Sequence, residues 1–260
     1  MEKRGQVTIY IMIGVFILLV VLLIFFLKGD VLGVKKFLGF GKVKNTDLYL
    51  KDQMTQISNE VNRCVDLEAG KALKILGDQG GYFVPENYLF YYGYNIAYLC
   101  SEIKDKNSCL NNMLLEERLE NDLNLYLKDK LKDCINLGKF EKYDYKLEYD
   151  KSNFNVNTDI NKRKVKFEVS IPVMISMDET KLSKDSFIRF VNVPFGDVIL
   201  VTNNILNSEV VYGDFDTVSY TIFKLGEYNI NKRRVFPDKI YTVKVEGYDY
   251  RFQFAIKGAV

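Results

Sequence analysis

Thr46 to Leu76 reads TDLYLKDQMTQISNEVNRCVDLEAGKALKIL, and its apolar positions set the plan of the chain. Leu50, Met54, Ile57, Val61, Val65, Ala69, Ala72 and Leu76 recur at steps of three and four, the spacing of one buried helical face. Thr46 or Asp47 supplies an N-cap, because a short side-chain oxygen accepts from backbone N–H groups that the first turn leaves unpaired. Gly77, or the pair Gly80-Gly81, stops the helix, since glycine takes the left-handed conformation of a helix C-terminus without a Cβ penalty. The stripe lacks the sustained heptads of a coiled-coil seam and reads as core packing. A second helix is predicted from Cys109 to Ile135, with Leu115, Leu119, Leu123, Leu127, Leu131 and Cys134 on its apolar side and Asn136 to Gly138 closing it.

Between the two helices lies QGGYFVPEN, Gln79 to Asn87, followed by YLFYYGYNIAYLC. Gly80 and Gly81 permit backbone angles closed to other residues and Pro85 fixes a turn, so the segment reads as a shaped loop. The rings of Tyr82, Phe83, Tyr88, Phe90, Tyr91, Tyr92, Tyr94 and Tyr98 are dense for a loop. Tyrosine surfaces serve recognition of sugars, peptides or a neighbouring subunit, and Gly80, Gly81, Tyr82, Phe83, Pro85, Tyr88, Tyr91 and Tyr92 form the candidate interaction loop. The same rings serve equally to cover the ends of the helix pair and fill its core.

After Gly138 the period changes from helical to two. Tyr143, Tyr145, Leu147 and Tyr149, then Phe154 and Val156, then Val165, Phe167, Val169, Ile171 and Val173 alternate as half-buried strands do, with a turn expected over Asn157 to Arg163. Phe195 to Leu206 reads as a short helix after Pro194. Three more strands are predicted around Val218, Tyr220 and Ile222, from Ile240 to Val245, and from Tyr250 to Ile256, with the last turn at Gly247 to Asp249. The expected fold is α+β, a disulfide-stabilised helical pair packed with a mainly antiparallel β-sheet, divided into a helical subdomain, 46–138, and a sheet domain, 139–260.

Toward the N-terminus, Lys28 to Asn45 is rich in glycine and lysine and reads as a juxtamembrane linker. Before it stands VTIYIMIGVFILLVVLLIFFL, Val7 to Leu27, which carries no charge. As a helix it extends roughly 32 Å, close to the roughly 30 Å hydrocarbon core of a bilayer. Secretory signal peptides have shorter apolar regions and buried core helices show a polar face, so the stretch reads as a transmembrane helix and the bilayer as a partner.

Lys3-Arg4-Gly5-Gln6 followed by this long apolar run resembles the class III signal peptide of archaeal type IV pilin-like proteins. The resemblance implies cleavage between Gly5 and Gln6, with the helix kept as an anchor or as the core of a filament. Tyr10 stands where that pattern often carries a glutamate at the fifth mature position, which separates export from filament assembly. The anchor, the helix, the QGGYFVPEN loop and the second helix together resemble a family of membrane proteins from small, host-associated archaea. This resemblance implies a compartment and a lineage and assigns no activity.

The lysine count beside the span, Lys28, Lys35, Lys36, Lys42 and Lys44 against Lys3 and Arg4, points the large domain inward by the positive-inside rule. The signal-like motif and the even cysteine count point outward, and long domains translocate largely regardless of flanking charge. An extracytoplasmic domain is the expectation. Cys64, Cys100, Cys109 and Cys134 form no CxxC pair, which favours disulfides over a zinc site. Four cysteines allow three pairings, and sequence alone does not choose among them; the pairing expected here joins Cys100 with Cys109, a short local loop, and Cys64 with Cys134, one on each predicted helix.

The 260 residues carry 36 Lys and Arg against 34 Asp and Glu, a net charge of +2, which gives no electrostatic footprint for nucleic acid. With no histidine, His-based general bases, Ser-His and Cys-His arrangements and His metal ligands are excluded. No GxxxxGK[ST] and no GxGxxG after a strand suggests a nucleotide. Asp214 with Asp216 and Asp178 with Glu179 are the paired carboxylates, and acidic pairs at turns are far more often solvated turn residues than catalysts. The sequence thus predicts no catalytic residue, no metal and no cofactor. It points to a single-pass cell-surface protein that meets another surface protein, a glycan or copies of itself. The alternatives are a pilin-like filament subunit and a cytoplasm-facing membrane-tethered scaffold or enzyme.

Overall fold

The computed structural model describes residues 12–20, 45–102 and 109–258. Residues 12–20 form helix α1, with every side chain exposed, and no described helix is long and apolar enough to cross a membrane. The rest of Val7 to Leu27, the processing residues Gly5 and Gln6, and the linker through Lys44 lie outside the described residues.

The following elements, in chain order, are α2 (Thr46–Asp78), β1 (Tyr88–Tyr91), β2 (Tyr94–Glu102), β3 (Cys109–Asn111) and α3 (Glu116–Cys134). A 3₁₀ turn at Gly138–Phe140 precedes β4 (Lys146–Tyr149), β5 (Asn155–Ile160), β6 (Val165–Met177) and β7 (Thr180–Val191). Then come α4 (Phe195–Tyr212), α5 (Thr217–Phe223), β8 (Tyr228–Val235), β9 (Asp238–Val245) and β10 (Arg251–Ile256). The fold is α+β with antiparallel-rich sheets, as the change of period at Gly138 implies.

Helix α2 has 33 residues and so measures about 50 Å. The residue that caps it is Asn45, whose Oδ1 accepts from Leu48 N at 3.2 Å. At the other end Gly80 takes φ +70° and Gly81 N donates to Leu76 O at 2.7 Å, so the glycine pair stops the helix. Gly77 does different work. A Cβ there would lie 2.5 Å from Arg251 O and 2.9 Å from the Tyr250 hydroxyl, so the glycine is what lets β10 cross the helix. The whole predicted stripe from Leu50 to Leu76 is buried.

One sheet runs β1-β2-β10-β9-β8, with β3 also on β2; the β2–β10 pair is parallel and the others are antiparallel. In the other, β4 and β5 share one edge of β6 and β7 takes the opposite edge. The gap between β4 and β5 falls opposite Pro172, which has no N–H to give, and Asp150 N donates to Pro172 O there at 3.2 Å. Asp150 then folds the intervening loop by accepting from Ser152 N at 2.8 Å and Asn153 Nδ2 at 2.8 Å. Helix α2 touches both sheets. Arg189 on β7 makes a bidentate pair with Asp66 at 2.7 and 2.8 Å, while the Tyr250 hydroxyl donates to Leu73 O at 3.0 Å and Gln253 Nε2 to Asp78 O at 2.8 Å.

Residues 50–260 form one unit, so no boundary falls at 138/139: β2, from the expected helical half, pairs with β10, the last strand. The predicted start of the second helix at Cys109 is also corrected. Cys109 to Asn111 pair with Cys100 to Glu102 as a strand, and the helix begins at Glu116. Val218, Tyr220 and Ile222, predicted as a strand, lie on α5, because Asp216 caps it by accepting from Val218 N at 3.1 Å and Ser219 N at 3.0 Å. Asn157 to Ile160 extend β5 and the turn is confined to the residues after them. Strands β7 and β8 carried no clear alternation: on β7 the side toward α2 includes Lys184 and Arg189, and on β8 the buried Tyr228 and Ile230 are followed on the same side by Lys232.

Cys64 and Cys134 are disulfide-bonded, with Cα atoms 5.8 Å apart, and clamp α2 to the end of α3 as expected. Beside the bond, Glu60 accepts from Arg63 at 3.1 Å and pairs with Lys139 of the 3₁₀ turn at 2.6 Å. The Arg63 hydrogen bonds, joined by Lys139, outweigh burial and push the Glu60 carboxyl down to about 2. Cys100 is buried and also disulfide-bonded; the side chain of Cys109, its expected partner, lies outside the described residues.

Candidate functional site

The predicted aromatic loop is a strap and a hairpin. Tyr88 to Tyr91 pair with Tyr94 to Ala97, and Tyr92-Gly93 close the turn with φ of 47° and 84°. Positive φ at both central residues defines the type I′ turn whose twist suits a two-residue hairpin. The consecutive aromatics that read as a loop are therefore a strand pair, consistent with the preference of rings for a pleated, half-buried surface.

The strap, Gln79 to Asn87, is pinned from beneath. Phe83 stacks on Tyr126 of α3 with ring centroids 4.1 Å apart and planes at 3°. The Arg118 guanidinium sits 4.4 Å over the Tyr82 ring and donates to Gly81 O at 3.2 Å. Gln79 Nε2 donates to Phe83 O at 3.1 Å, and Pro85 is buried. Gly80, Gly81, Tyr82, Phe83 and Pro85 thus shape and fasten the strap rather than present it. Tyr82, Val84, Pro85 and Asn87 form one wall of a cleft of about 390 Å³, with Ala97 and Tyr98 opposite.

The hairpin divides its rings between two faces. Leu89, Tyr91, Tyr94 and Tyr98 pack on the buried cluster of Ile96, Ile240 and Ala255. Tyr91 is held there by Arg233, whose Nη1 donates to its hydroxyl at 2.7 Å. Tyr98 donates to Asp238 at 2.7 Å, and burial, with that carboxylate beside it, pushes the Tyr98 phenol well above its ordinary value. Alternation sends Tyr88 and Phe90 the other way, 44% and 67% exposed, while Tyr92, in the turn, is 77% exposed with its ring edge-on to Tyr91 at 4.5 Å. Of the eight predicted loop residues, Tyr88 is exposed on the outward face of the strand and Tyr92 at the turn, and Phe90 joins Tyr88 because it lies between two inward-facing positions.

The Asp214 and Asp216 pair resolves into structural roles. Asp214 accepts from Lys232 at 2.8 and 2.9 Å, and Asp216 is the cap of α5, its carboxyl lowered by the Ser219 hydroxyl it binds. Asp178 sits at φ 54° in the turn between β6 and β7. A buried brace that no sequence motif announces lies next to Asp214. The Tyr241 hydroxyl donates to Glu209, and Lys239 bridges Glu209 at 2.7 Å and Gly213 O at 2.6 Å, closing the C-terminus of α4 onto β9. Burial, reinforced by Glu209, raises the Tyr241 phenol, so it stays a donor.

No family model, no curated protein and no solved structure matches the chain.

Proposed function

We propose that this chain is a single-pass, membrane-anchored cell-surface protein. Val7 to Leu27 holds it in the bilayer, and its disulfide-braced α+β body lies outside the cell. The exposed rings of the β1–β2 hairpin, Tyr88, Phe90 and Tyr92, recognise another surface protein or a glycan. The observation that carries this reading is Tyr92. It occupies the first central position of a type I′ turn, where asparagine or glycine is favoured and a bulky L-residue at φ 47° is strained, yet its ring stays 77% exposed against Tyr91 instead of entering the core. A residue kept against local stability, on a rigid support and facing outward, is the signature of a recognition position. The support is rigid because Tyr91 is fixed by Arg233 and meets Tyr92 edge-on at 4.5 Å.

Tyr92→Asn tests the reading. The variant is expected to be more stable by roughly 0.5 to 1 kcal/mol, from relief of the turn. It is also expected to lose at least about tenfold in saturable binding to isolated cell envelopes, as loss of an aromatic anchor does. Equal binding by both proteins refutes recognition by the ring face. Protease added to intact cells reads the orientation: cleavage of the body agrees with the proposal, and protection until lysis refutes it.

A further inference from the structure

Helix α5 turns its apolar side chains the wrong way for a soluble surface. It has no buried residue, and Val218, Ile222 and Phe223 are 66%, 70% and 78% exposed, followed by Leu225 at 95%. The opposite side of the helix is the one fastened to the body: the Tyr220 ring packs 5.2 Å from Phe215 and 6.3 Å from Tyr228. Val218 and Ile222, four residues apart, therefore share an outward ridge. Asp216 fixes the ridge by capping the helix, so its exposure is built in rather than a consequence of fraying.

At the C-terminal end of α5 opens a cleft of about 780 Å³ whose walls include Lys162, Arg163, Lys164, Lys224, Asp197 and Glu227. Arg163 engages both carboxylates, Asp197 at 3.2 Å and Glu227 directly. Lys162, Lys164 and Lys224 are left without a carboxylate partner among the described residues. Lys224 joins the cleft to the end of α5: it lines the cleft and its ammonium lies 5.5 Å over the Phe223 ring and 5.8 Å over the Tyr220 ring. Leu200 of α4, half exposed, carries the apolar surface to the cleft's edge.

We infer that α5 and the Lys162–Lys164–Lys224 cleft form a docking surface for an anionic lipid bilayer. The ridge enters the boundary between headgroups and acyl chains, and the three lysines meet lipid phosphates. Apolar side chains on one face with cations at their margin are the composition that lies in a membrane interface, the lysine stems following the apolar surface while their ammonium groups stay with the headgroups. A second copy docking through the same ridge would bring two such cationic clefts to one interface, and a nucleic acid would leave the ridge uncovered. None of these residues belongs to the Val7 to Leu27 stretch, so the inference stands or falls separately from the anchor.

The chain contains no tryptophan, so Phe223→Trp in the full chain gives a single indole reporter at an exposed position. The protein is placed in lipid nanodiscs carrying brominated acyl chains, either with phosphatidylglycerol or with phosphatidylcholine alone. Chain that does not enter the discs is added to preformed vesicles of the same lipids. Emission is expected to fall by about half or more in the anionic brominated lipid, as for a side chain at the acyl boundary, and to recover with Lys162→Glu, Lys164→Glu and Lys224→Glu combined. Tyr143→Trp, at a fully exposed position, is the control and should stay unquenched. Equal emission with and without bromine overturns the inference. So does quenching abolished by millimolar inorganic phosphate, which would assign the cleft to free phosphate, or a lipid-independent blue shift that grows with protein concentration, which would assign the ridge to a second copy.

Discussion

Replacing Cys64 and Cys134 together by alanine removes the covalent clamp between α2 and α3 and leaves the hydrogen-bonded elements in place. The bond closes a loop with a sequence separation of 70, for which the chain-entropy relation gives ~4 kcal/mol of stabilisation at 25 °C, acting through the unfolded state. Cys64 is fully buried, so the lost sulfur contacts add to that figure rather than offset it. Substitution isolates the effect better than a reductant, because Cys100 is disulfide-bonded as well and would be cut too. The assay is guanidinium unfolding of both proteins at neutral pH, followed by far-UV circular dichroism. The variant should lose ~4 kcal/mol, and its denaturant dependence should steepen because the freed chain exposes more surface on unfolding. A loss below about 1.5 kcal/mol, with unchanged steepness, would refute the argument that this loop is the main restraint on the unfolded chain.

Other expectations follow from single sites. Glu60, held down to about 2 by Arg63 and then Lys139, contributes stability that is full above pH 4.5 and is lost as pH falls toward 2. Discounted for the exposure of Arg63, Glu60→Gln should cost on the order of 2 kcal/mol at pH 7 and close to nothing at pH 2, read by thermal unfolding across that range. Gly77→Ala puts a methyl 2.5 Å from Arg251 O, so the backbone of β10 must move, and a loss of at least about 2 kcal/mol is expected in the same unfolding assay. Asp216→Ala removes the cap of α5 and should speed amide exchange at Val218 and Ser219 while leaving the core strands β9 and β10 protected.

Much of the fold was legible because burial imposes a period. The stripe of α2, the leucines of α3 and the alternation of β6 each face one core with one side, and their sequence periods say so; β9 and β10 read as strands from their apolar, β-branched and aromatic residues, although Phe252 to Ile256 are buried on both faces. Where a segment serves two masters the period fails. Strand β7 gives Lys184 to Ser58 and Arg189 to Asp66 of α2, so its polar residues hide a strand. Helix α5 carries strand-like residues because its apolar side faces out, and only the Asp216 cap marks it as a helix. At the candidate site the glycines and Pro85 announced a shaped segment correctly. Which rings are fastened and which are offered depended on Arg118, Tyr126 and Arg233, residues remote in sequence that arrive only in the folded chain.

The sequence by itself determined the α+β class and the order of helix, shaped QGGYFVPEN segment and second helix in the first half, since these follow from local periodicity and turn chemistry; it allowed three pairings of the four cysteines, and the fold selects Cys64 with Cys134. Only the tertiary structure decided that the halves share one sheet, that Gly77 is a crossing point rather than a stop, and that Tyr88, Phe90, Tyr92 and the α5 ridge stay in solvent. Exposure is a property of what fails to pack against a residue, and local sequence carries no record of that.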